Sequence, residues 1–150
     1  MEEFFTTATE AENGRTIIVT GCRDVEKFRS KPKYAVRVEV TLPYQGDSLG
    51  FPDFRTSEII EQVTEAFRKG LKGKNTAILT GIYTGDGERN WVFHTINTDI
   101  FTKFINTVLA DLPQLPLRLY AENDPDWAEY DEMMAVAPAP DDEEMTADED

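Results

Sequence analysis

The sequence holds one cysteine, Cys22, and one histidine, His94. A single thiol closes no intramolecular disulfide, and one imidazole beside one thiolate falls short of the ligand set of a structural zinc site. No metal and no cofactor is expected. Apolar runs extend only a few residues, well below the roughly 20 that a membrane-crossing helix needs. The start, Met1-Glu2-Glu3-Phe4-Phe5, lacks the basic opening and apolar stretch of a signal peptide, so a reducing, cytoplasmic setting away from membranes is the expectation. Basic residues are missing from one end of the chain. None of the 15 Lys and Arg lies beyond Arg118, whereas 13 of the 29 Asp and Glu do. The formal charge of -14 is therefore concentrated at the C-terminus, and the body is nearly neutral. Without a clustered basic footprint the chain is not expected to bind DNA or RNA directly. Its acidic end suits a protein partner with a basic surface.

What is present is a strong sheet signal. Over residues 34–42 every even position (Tyr34, Val36, Val38, Val40, Leu42) is large and apolar, and the odd positions are Ala, Arg, Glu and Thr. Alternation of period two marks a strand with one buried face, here the even one. Residues 16–20 are β-branched throughout and predict an earlier strand, added at an edge of the sheet. The charged stretch 22–33 reads as a connection over the surface. Residues 43–53 form a long Gly-, Pro- and Asp-rich loop. From Thr56 the apolar positions Ile59, Ile60, Val63, Ala66, Phe67 and Leu71 step by three and four, which predicts an amphipathic helix. Strands over 76–84 and 90–96 flank a Gly85-Asp86-Gly87 turn and make a hairpin. Asn97 or Thr98 caps a second helix with its stripe at Phe101, Phe104, Ile105, Val108, Leu109 and Leu112, ended by Pro113 and Pro116. A last strand over 117–121 precedes a short helix over 124–130.

From Tyr34 onward the order is strand, helix, strand, strand, helix, strand. That order predicts an α+β fold of the ferredoxin-like (split βαβ) kind: a two-layer sandwich with an extra N-terminal edge strand and a short C-terminal helix. One domain over 1–134 is expected, followed by an acidic, disordered tail over 135–150. The assembly is a monomer, or a homodimer paired through the edge strand.

Candidate chemistry is sparse. Gly73-Lys74 follows a helix and precedes a strand, the reverse of a phosphate-binding loop, and so reads as a helix stop. His94 falls on the strand face of Val92 and Ile96, where a structural role is favoured over acid-base work. Cys22 has no identifiable catalytic partner. No catalytic constellation emerges, and the chain is read as a non-enzyme. The residues best suited to binding are Asp124, Asp126, Trp127 and Tyr130 of the last helix, whose two rings either pin that helix to the body or form a contact surface. Arg37 and Tyr120 join them on the sheet face opposite the long helices. The alternative is a small-ligand binder or hydrolase with a pocket near the 43–53 loop, using Tyr44, His94 and Arg37.

Three stretches carry a resemblance: the strand over 34–43, the hairpin Thr80-Gly81-Ile82-Tyr83-Thr84-Gly85-Asp86-Gly87-Glu88-Arg89, and the ending Asp124-Pro125-Asp126-Trp127 with Tyr130. Together they resemble a bacterial family of unknown function, the domain-of-unknown-function family six-nine-five, over about residues 4–134. The ending is also similar to that of the regulators of ribonuclease activity B, acidic ferredoxin-like proteins that inhibit ribonuclease E by binding it. That resemblance implies a regulatory, protein-binding role. Two departures from the pattern stand out, His94 where an aromatic is more usual and Met133-Met134-Ala135 in place of a Leu-Tyr-Pro close.

Overall fold

The computed structural model describes residues 4–138. β1 (Phe4–Glu10) and β2 (Thr16–Cys22) form an antiparallel hairpin, turned by Gly14 at a φ of +84° that suits glycine. A single turn of helix, α1 (Glu26–Arg29), leads to β3 (Val36–Pro43). α2 (Phe54–Leu71) follows, capped by Asp53, whose carboxylate accepts from Thr56 N at 2.8 Å. β4 (Ala77–Gly85) and β5 (Glu88–Thr95) make the expected hairpin. α3 (Thr98–Val108) is capped by Asn97, which accepts from Ile100 N at 2.8 Å. β6 (Arg118–Asn123) and α4 (Ala128–Met134) complete the chain. All pairings are antiparallel, in one six-stranded sheet of order β1-β2-β4-β5-β3-β6.

The period-two reading of β3 places Val38, Val40 and Leu42 in a core with Ile60, Val63 and Phe67 of α2 and Phe101, Phe104 and Ile105 of α3. Both long helices therefore cover one face. Phe67 packs edge-on against Trp91 and Phe93 at 5.4 and 5.1 Å between centroids, geometry that aromatic quadrupoles favour. Thr64, inside α2, accepts from Trp91 Nε1 at 2.9 Å and so satisfies the buried indole.

Several expectations need correction. The strand over 16–20 is not at an edge: β2 is paired on both sides, and β1 occupies the margin. β1 escaped prediction because only Phe5 of its seven residues is buried, which leaves no alternation to read. The sandwich is not two-layered. A second core of Phe5, Val19, Cys22, Val25, Tyr34, Trp127, Tyr130 and Met133 lies on the opposite face, so α1 and α4 add a partial third layer. Tyr34 belongs to this second core rather than to the inward series of Val38 to Leu42, because it precedes the paired strand. Its hydroxyl donates to Asn75 O at 2.7 Å. Nor is the 22–33 stretch a pure surface connection, since Cys22 and Val25 are buried.

Paired glycines make the seat for α4. Gly21 and Gly81 are cross-strand partners on the second face. A Cβ on Gly81 would fall 2.6 Å from Met133 Sδ, and one on Gly21 would fall 2.8 Å from Met133 Cε. The absence of side chains here lets the helix approach the sheet. Beyond α4, Arg23 donates to Pro138 O at 2.6 Å. The acidic tail expected over 135–150 lies, from residue 139 on, outside the described residues.

Candidate functional site

Register puts Arg37, Glu39 and Thr41 of β3 on the second face, opposite Glu122, Tyr120 and Arg118 of β6 on one side and His94, Val92 and Asn90 of β5 on the other. Arg37 is the centre of this polar patch and is only 7 % exposed. Its guanidinium meets Glu122 Oε1 at 2.6 Å, Glu39 Oε2 at 2.9 Å and Asp124 Oδ2 at 4.0 Å. Burial opposes its charge, but the hydrogen bonds to Glu122 and Glu39 outweigh that and push its pKa up. Reciprocally, Arg37 and the Tyr120 hydroxyl hold the Glu122 carboxyl below its ordinary range.

Asp124 joins the patch to α4. Its N–H donates to Ala35 O at 2.7 Å, and its carboxylate accepts from Ala128 N at 3.0 Å and Glu129 N at 3.4 Å. It thus satisfies two donors that the start of a helix leaves unpaired. Trp127, at the N-terminal boundary of α4, adopts a φ of +57°, a left-handed conformation that costs a bulky residue energy. Its ring is 1 % exposed and stacks on His94 with 3.8 Å between centroids and 13° between planes. Burial of so large a ring offsets the backbone cost. Tyr130 crosses Trp127 edge-on at 5.8 Å and donates its hydroxyl to Cys22 O at 2.7 Å. From α1, Arg29 grips the Asp131 carboxylate with bonds of 2.7 and 2.9 Å and donates to Asp126 O at 3.1 Å.

Of the residues expected to bind, Trp127 and Tyr130 are therefore buried and hold the last helix down. Arg37 and Asp124 sit together within the patch. Tyr120 stands at the sheet margin, 55 % exposed, and Asp126 is on the surface. Tyr44 is not brought to His94 and Arg37. It packs against the α2/α3 core, and its hydroxyl donates to Gly50 O at 2.8 Å. The 43–53 loop is tied down by Asp47, whose carboxylate accepts from Leu49 N and Phe51 N, each at 2.9 Å.

A cleft of about 450 Å³ opens between α4 and the second face. Its floor includes Val19, Thr80, Val92 and His94, and its walls include Arg37, Glu39, Tyr83, Asn90, Glu129 and Glu132. Thr80 reaches it by alternation with Leu79 of the first core, and the irregularity between Leu79 and Gly81 brings Gly81 to the same face. His94 is fully buried, with Nδ1 bonded to Tyr34 O at 2.9 Å, while Nε2 has no hydrogen-bond partner among the described residues and lies 3.9 Å from Asp124 Oδ2. Desolvation lowers its pKa, only partly opposed by Tyr34 O and Asp124, so the ring is neutral at pH 7. With Nδ1 donating, Nε2 is an acceptor. Partial desolvation raises the Glu129 carboxyl; Arg37 pulls it down, while Glu132, Glu122 and Asp124 push it further up. Among the described residues neither Glu129 nor Glu132 has a cationic partner within 4 Å. Sequence reasoning placed Glu39 on this face but missed Tyr83, Asn90, Glu129 and Glu132. Their signal was there in the alternation of Tyr83 with the core residue Ile82 on β4, in the two-residue period of β5 and in the three-residue spacing of the α4 acids.

Among the described residues no group of three or more His, Cys, Asp and Glu is placed to hold a metal ion. No described helix is long and apolar enough to cross a membrane.

The fold and this cleft define an α+β protein whose antiparallel sheet is covered on both faces, by a long helical pair on one side and by a pinned terminal helix on the other. The chain belongs to a family of unknown function, DUF695, whose model matches residues 6–134. No curated protein and no solved structure matches it, and the expected likeness to regulators of ribonuclease activity B finds no support there. The residues behind that likeness, Asp124, Trp127 and Tyr130, are occupied in fastening α4.

Proposed function

We propose that the chain is a non-catalytic protein-binding module that accepts a basic side chain of its partner, lysine or arginine, in the cleft beneath α4. The observation that carries this reading is the imbalance of charge at the cleft. Arg37 is already shared among Glu39, Glu122 and Asp124, whereas Glu129 and Glu132, which line the same cleft, have no cation within 4 Å among the described residues. A guanidinium or ammonium arriving there meets two carboxylates, with Thr80, Asn90 and the Tyr83 hydroxyl as further polar partners. The acidic C-terminus supplies longer-range attraction to a basic surface. A reducing, cytoplasmic setting agrees with a lone buried thiol. The scaffold is of the ferredoxin-like type from β3 to β6, a reading supported by the strand order β4-β5-β3-β6 and by α2 and α3 sharing one face.

Calorimetric titration with a short arginine-rich peptide tests the reading. Binding is expected to weaken at least about tenfold, roughly 1.4 kcal/mol, in the double variant Glu129→Gln/Glu132→Gln, and to weaken further with added salt. Equal affinity in the wild type and the double variant would reject the cleft as the site.

A further inference from the structure

β6 is a sheet margin, and among the described residues no strand pairs with its outer side. Because the Asp124 N–H points inward to Ala35 O, alternation along the Arg37↔Glu122 register turns the backbone groups of residues 118, 120 and 122 toward β3. Leu119, Ala121 and Asn123 consequently direct their N–H and C=O groups outward. Leu119 is 47 % exposed and Tyr120 55 % exposed, on opposite faces of the same margin. Leu119 also borders an apolar cleft of about 370 Å³ lined by leucines that follow α3. Natural sheets usually blunt such a margin with proline, a bulge or a covering loop. β6 has none of these.

We propose that β6 pairs antiparallel with β6 of a second copy of this chain, about a two-fold axis through Tyr120, to make one continuous twelve-stranded sheet. The charge pattern selects both the partner and the register. With Tyr120 opposite Tyr120, each Arg118 faces the other copy's Glu122, giving two oppositely charged pairs on one face. On the other face Leu119 meets Ala121, and these two residues bear the outward backbone groups that form the new ladder. Arg118 is 66 % exposed and held only by Glu88 at 3.3 Å, so it is free to turn outward. The opposite margin does not share this property: β1 carries a single charged residue, Glu10, and self-pairing there brings no opposite charges together.

Sedimentation equilibrium of the full chain tests the proposal. The wild type is expected at twice the 17.0 kDa chain mass. Ala121→Pro removes an N–H that β3 does not use, so circular dichroism and the melting transition should be retained while the mass falls to that of one chain. Arg118→Glu should weaken association at least about tenfold by setting like charges opposite each other. For the register, Tyr120→Cys should cross-link on oxidation, since directly opposed residues that are not hydrogen-bonded to each other approach to about 4.5 Å between Cα atoms, and Ala121→Cys should not. A wild type that stays monomeric up to about 1 mM, a dimer untouched by Ala121→Pro, or cross-linking at 121 in preference to 120 would each overturn it.

Discussion

The two faces of the sheet are built on different physical terms. Under α2 and α3 lies an almost wholly apolar core, with Phe67, Trp91, Phe93, Phe101 and Phe104 interlocked. Under α4 the aromatic rings are outnumbered by polar contacts: a buried arginine shared by carboxylates, a histidine stacked on a tryptophan, and a paired-glycine seat. The first face is held mainly by area removed from water and tolerates changes of detail. The second depends on particular atoms being in place, and the cleft there carries carboxylates that have no cation within 4 Å among the described residues.

Substitutions separate the two. Trp127→Ala and Phe67→Ala should each lower stability by about 3 to 5 kcal/mol in chemical denaturation, because each removes a fully buried ring. As the rings lie on opposite sides of the sheet, the double variant should be additive within about 0.5 kcal/mol. Strong coupling would mean that the two cores are not independent. Gly81→Ala should cost about 1 to 3 kcal/mol by driving Met133 off its seat and should expose Trp127, read as a red-shifted fluorescence; a change in the α2 core alone would contradict this. Asp124→Ala should cost about 0.5 to 2 kcal/mol through loss of the α4 cap, with hydrogen exchange rising in α4 and not in α2.

Acid should also act unequally on the two sides. The buried His94 takes up a proton less readily than it does in the unfolded chain. Stability therefore falls as pH drops below the ordinary histidine value near 6.5, with a slope of at most about 1.4 kcal/mol per pH unit for one proton. His94→Gln should flatten the melting temperature between about pH 7 and 5.5. An unchanged slope would place the titration elsewhere. The smallest effect belongs to Arg29→Ala, where a partly exposed pair with Asp131 is worth about 0 to 1 kcal/mol.

The apolar face was legible in the sequence because burial by a sheet and by helices leaves clean periods of two and of three to four. Val38, Val40 and Leu42, with Ile60, Val63 and Phe67, announce it unaided. The other face was only half legible. The alternation that turned the even residues inward necessarily turned Arg37 and Glu39 to the other side, and β5 sent His94 with them. What no period reveals is that α4 folds back across the sheet. That rests on contacts distant in sequence, Tyr130 to Cys22 and Trp127 to His94, and on two glycines whose meaning lies in what they leave empty. The same gap explains the misplaced margin: β1 is nearly all threonine and alanine after Phe5, so nothing local distinguished it from a loop.

The central claim is that the polar face under α4, and not the apolar one, receives the partner. Amide chemical shifts recorded while the full chain is titrated with an arginine-rich peptide test it most directly. The account predicts shifts gathered at Glu39, Tyr83, Asn90, Glu129 and Glu132, and lost in Glu129→Gln/Glu132→Gln. Shifts confined to residues 139–150, or spread over α2 and α3, would contradict it.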